Sequence, residues 1–71
     1  MGEYIRTLGS VSIGSDDFTI ELNQPTNAGS EQQIHIQSEG LRLEFDKSEF
    51  VRLALGVLIA EENLKRLKNL A

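Results

Sequence analysis

Hydrophobic positions along this chain follow two periods. From Val11 to Phe45 they recur mainly at every second residue, the spacing of half-buried strands, and from Lys47 onwards they recur at helical spacing. Val11 and Ile13 lead through Gly14-Ser15-Asp16-Asp17 to Phe18, Ile20 and Leu22. This predicts a hairpin that pairs Ile13 with Phe18 and Val11 with Ile20 across a four-residue loop. Ile34 and Ile36 lead through Gln37-Ser38-Glu39-Gly40 to Leu41, Leu43 and Phe45, which predicts a second hairpin pairing Ile36 with Leu41 and Ile34 with Leu43. That register sets His35 opposite Arg42 and Gln33 opposite Glu44 on the polar face, and gives Gly40 a left-handed backbone. An odd-numbered loop would mix the two faces. Residues 1–7 read as a ragged start or an edge strand. Residues 23–31, with Pro25, Asn27, Gly29 and Ser30 and no periodicity, read as a mobile connector. Either a meander or a hairpin exchanged between chains is compatible with that connector.

A helix is expected over residues 47–69. Asp46 and Glu49 form a capping-box spacing at its start, and both carboxylates suit the positive end of the helix dipole. Glu61 with Lys65 and Glu62 with Arg66 are i, i+4 pairs in the favourable orientation. Phe50, Leu53, Ala54, Val57, Ala60, Leu64 and Leu67 make one apolar stripe, expected to lie on the sheet and close the core. Val51, Leu55, Leu58 and Ile59 fall on a second face, with Glu62 beside them. A helix with its back in water does not need that second face. Burying its four large side chains would contribute about 6–12 kcal/mol gross, comparable with the ~4–15 kcal/mol entropic cost of association. A helix of this length spans about 34 Å against about 20 Å for a six-residue strand, so it overhangs a simple sheet. Pairing with a second helix is the expectation, and a sheet curled around both faces is the alternative. The fold class is α+β: a single domain over residues 1–71, an antiparallel sheet of two hairpins followed by one C-terminal helix, ββββα.

Composition narrows the function. The chain has 71 residues, no cysteine and one histidine, which excludes disulfides and cysteine-held zinc and leaves no histidine cluster for a metal. Its longest apolar run, Leu53 to Ala60, is too short to span a bilayer, and the N-terminus has no signal-peptide pattern. A cytoplasmic protein of bacterial type is expected. Residues 1–46 carry eight acidic side chains against Arg6 and Arg42, while residues 47–71 are net basic. An acidic sheet is a poor phosphate-binding surface. Lys65, Arg66 and Lys68 are the candidate nucleic-acid contacts, but aromatic residues to interleave with them are lacking, so a solvated helix end is the stronger interpretation. Asp16-Asp17 lacks the further oxygen ligands of a calcium loop and is explained as turn chemistry. His35, with Arg42 and Glu44 near it, is the one constellation resembling an acid–base site. No sheltering pocket is implied, and an ordinary surface or interface histidine is expected.

Ile34-His35-Ile36, then Leu41-Arg42-Leu43-Glu44-Phe45, then Glu49-Phe50 resemble a stretch in small uncharacterised bacterial proteins, where an I-H-I strand and an L-R-L-E strand precede a helix opening with E-F. The resemblance spans about residues 33–60 and implies the hairpin-plus-helix arrangement. It brings no activity with it, but implies that His35 and Arg42 matter beyond solubility. The expected role is a self-associating interaction module: a helix-mediated homodimer, or a partner of another protein, with no catalytic, cofactor or metal site and no membrane contact. A nucleic-acid-associated regulator using the basic helix end is the alternative.

Overall fold

The computed structural model describes residues 3–70, with side chains described for 3–67. Four strands, β1 (Tyr4–Ile13), β2 (Asp16–Asn23), β3 (Gln33–Gln37) and β4 (Arg42–Asp46), precede one helix, α1 (Lys47–Leu70). The strands form a single antiparallel sheet in the order β1-β2-β3-β4. This is the expected ββββα arrangement, and the connector makes a meander. Residues 1–2 of the expected ragged start lie outside the described residues, and β1 is an edge strand from Tyr4. Irregularities between Tyr4 and Arg6 and between Thr7 and Gly9 break its ladder, a device that discourages further pairing on an open edge.

Both hairpins correct the expected register by two residues. In the first, Ile13 pairs with Asp16 and Val11 with Phe18, leaving only Gly14-Ser15 at the tip. Gly14 has φ 64, and glycine at the first central position permits the tight turn whose twist matches the strands. The ladder then gains the Ser12–Asp17 pair, whose side chains hydrogen bond at 2.6 Å. In the second, Ile36 pairs with Leu43 and Ile34 with Phe45, while the Ser38 N–H donates to the Leu41 carbonyl at 2.8 Å. The tip is Glu39-Gly40, and Gly40 does not adopt the expected left-handed backbone. A slip of two preserves every face, so alternation could not distinguish the registers. The tighter loop wins by extending the ladder to Gln33–Asp46 and then to the Lys47 N–H on the Gln32 carbonyl, 3.0 Å away.

Helix α1 therefore starts without a linker. Glu49 accepts from the Asp46 N–H at 2.9 Å, the reciprocal half of a capping box. The oxygen on the Ser48 N–H comes not from Asp46, as expected, but from Glu31 in the connector, at 2.8 Å. The second Glu31 oxygen accepts from the Ser48 hydroxyl at 2.9 Å. These two hydrogen bonds, aided by Arg52 and Lys47, hold the Glu31 carboxyl below its ordinary pKa.

The stripe does not close the core. Helix α1 packs on β4 and β3 and reaches neither β1 nor β2. Of the expected stripe only Phe50 and Ala54 are half-buried; Leu53, Val57, Ala60, Leu64 and Leu67 are exposed. Among the described apolar side chains only Ile34 is buried. The reason is dimensional. A four-stranded sheet is about 19 Å wide, whereas one helix with its side chains covers about 10–12 Å. With the helix tethered directly to the outer strand β4, the β1–β2 half has no cover. The chain is accordingly open, with a radius of gyration of 14.8 Å against about 11 Å for a compact chain of this length.

Candidate functional site

Two faces of the sheet carry the candidates. The apolar face is set by alternation: Val11 and Ile13 from β1, Phe18 and Ile20 from β2, Ile36 from β3, Leu43 from β4, with Leu41 beside it. Across from them stand Phe50, Leu53, Ala54, Val57 and Leu58 of α1. Together these residues bound an open, wholly apolar groove of about 660 Å³. Val11, Ile13, Leu41 and Leu43 are exposed along it. The sequence leads one to expect the helix stripe to lie on this face of the sheet and close the core over it. The signal that could have revealed them was the ratio of one helix to four strands.

The predicted partner face is on the surface. Val51, Leu55, Leu58 and Ile59 are all between 54% and 59% exposed, and Glu62 is exposed beside them. Leu58 alone of these also lines the groove, so the helix flank and the groove are continuous there. Of the basic helix end, Lys65 lies 3.8 Å from Glu62 and Arg66 is exposed, while the Lys68 side chain falls outside the described residues.

The polar face holds a correction. His35 is buried, at 2% exposure, rather than on the surface. Its cross-strand partners are Glu21 and Glu44, Gln37 is opposite Arg42, and Gln33 is opposite Asp46. The long Arg42 side chain reaches diagonally so that Nη2 lies 3.0 Å from His35 Nδ1, while its Nε pairs with Glu44 at 3.0 Å. A guanidinium only donates, so Nδ1 accepts and the ring proton sits on Nε2, 3.4 Å from the Gln33 side-chain amide oxygen Oε1. Glu21 accepts from Gln37 at 3.1 Å and from Thr19 at 3.2 Å. Both ring nitrogens are committed, and the apolar groove opens on the opposite face of the sheet. His35, Arg42 and Glu44 thus come together as a hydrogen-bonded structural network.

Asp16 and Asp17 share a hollow of about 190 Å³ with Ser15 and Glu39 where the two hairpin tips meet. Among the described residues no group of three His, Asp or Glu side chains is arranged to hold a metal ion, and no helix is long and apolar enough to cross a membrane. The most developed feature of the molecule is its uncovered apolar groove with the adjoining helix flank. No family model matches the chain, and neither a curated protein nor a solved structure does.

Proposed function

We propose that this chain is a small self-associating protein-interaction module of the cytoplasm that works as a homodimer paired through its helix. The supporting observation is surface area. The protomer exposes 5625 Å², against about 4,400 Å² for a compact monomer of this mass. The excess of roughly 1,200 Å² exceeds the ~800 Å² that each partner contributes to a standard interface. Large apolar side chains stand exposed in two contiguous places that a monomer rarely leaves in water: the groove wall, and the helix flank of Val51, Leu55, Leu58 and Ile59. Cysteine-free composition fits a reducing compartment.

The test is to place charge on the flank. Leu55→Glu and Ile59→Glu are expected to give a monomer or a markedly less stable protein, read by sizing-column light scattering and urea unfolding. Full dimerisation with unchanged stability in both variants would contradict the proposal.

A further inference from the structure

We infer that the second helix each sheet lacks is the distal half of the partner copy's own helix, so that two chains exchange helix ends across a twofold axis. This rests on the dimer proposed above and adds which surface meets which.

The protomer carries two unmatched apolar surfaces. One is the β1–β2 half of the sheet, where Val11 and Ile13 stand exposed because α1 covers only β3 and β4. The other is the helix beyond Leu58, where the stripe continues through Leu64 and Leu67, at 56% and 61% exposure. The same angular stripe whose first half, at Phe50 and Ala54, rests on the chain's own sheet thus has a second half with no sheet of its own beneath it. A twofold rotation seats the second half of each helix on the bare half of the other sheet, satisfying both surfaces twice. The helices then run antiparallel, side by side over the two sheets. The flank of Val51, Leu55 and Leu58 becomes the seam between them, and Leu58, which also lines the groove, lies where seam and groove join.

Charge and area favour a second copy as the occupant. The hairpin tips at the groove end carry Asp16, Asp17 and Glu39, while the distal helix, past Glu61 and Glu62, carries Lys65 and Arg66, so the exchange brings opposite charges together where that last turn meets the tips. The excess of roughly 1,200 Å² per chain calls for an interface larger than the ~800 Å² standard. A seam between helices alone would leave the groove wall open.

The test uses the unaltered chain. Equal amounts of methyl-¹³C-labelled and unlabelled protein, refolded together, are examined by isotope-filtered nuclear Overhauser spectroscopy. Intermolecular cross-peaks are expected from the Leu64 and Leu67 methyls to those of Val11 and Ile20. A dimer whose intermolecular peaks join only helix to helix, Leu55 to Leu58 for instance, overturns the exchange while leaving the dimer standing. A monomer overturns both. Leu64→Lys should also weaken dimerisation about tenfold or more, the effect of one buried leucine, and an unchanged affinity counts against the exchange.

Discussion

Arg42 Nη2 lies 3.0 Å from His35 Nδ1 across the β3–β4 ladder, although the two residues are diagonal neighbours rather than a cross-strand pair. The contact assigns the histidine tautomer, on a ring that is buried although strand alternation alone would leave it in water. Arg42→Met keeps the aliphatic stem but removes the donor, leaving a buried acceptor unsatisfied. It is expected to cost about 1–3 kcal/mol in urea unfolding without changing the oligomeric state. In the parent protein, ¹⁵N spectra of the ring should show the proton on Nε2. A proton on Nδ1 would contradict the network.

Glu31 ties the connector to the helix start through both oxygens. Its carboxyl is held below its ordinary pKa in the folded chain by the hydrogen bonds from Ser48. A lowered folded value stabilises the fold above the unfolded pKa of about 4.3, and that contribution is lost as pH falls through the folded value. Glu31→Gln should therefore be less stable than the parent near pH 7, with the gap closing as pH falls from the unfolded value through the lower folded one. A gap that is constant with pH would show that the carboxylate charge is not what matters.

Gly14 and Gly40 both sit at hairpin tips, yet they should respond oppositely to alanine. Neither position has an atom within 4 Å of an added Cβ, but only Gly14 has positive φ, at 64. Gly14→Ala should cost about 1–2 kcal/mol from backbone strain alone. Gly40→Ala should be neutral or stabilising by up to about 1 kcal/mol, because it only restricts the unfolded chain. Thermal or urea unfolding of the two variants checks the turn assignment. Equal losses would show that both tips need a left-handed residue.

Leu64 distinguishes a protomer that works alone from one completed by a partner. At 56% exposure, its replacement by aspartate should change protomer stability by no more than about 0.5 kcal/mol if nothing covers it. The dimer predicts instead a concentration-dependent loss of stability, visible as a melting temperature that falls on dilution more steeply than in the parent.

Much of this architecture was legible from periodicity. Alternation through Val11 to Phe45 assigned the four strands and their faces, and the uninterrupted helical spacing after Asp46 located α1. Register was not legible, because pairing Ile36 with Leu41 or with Leu43 exposes the same faces and differs only in loop length. His35 was placed correctly on the polar face but wrongly in solvent. His35 is buried where Arg42 reaches diagonally to its ring, a contact that a two-residue period cannot express. The second helix face of Val51, Leu55, Leu58 and Ile59 was read as unmatched, and it is exposed. The bare β1–β2 face was missed because its apolar residues look the same whether a helix covers them or not.

Everything proposed for this chain turns on a single copy being incomplete. Light scattering on a sizing column, across protein concentrations from about 1 to 500 μM, tests it most directly, since interfaces of this size span a wide range of affinities. A mass of twice the 7.9 kDa chain is expected over most of that range, with dissociation only towards its dilute end. A stable, folded species of single-chain mass at every concentration would contradict it.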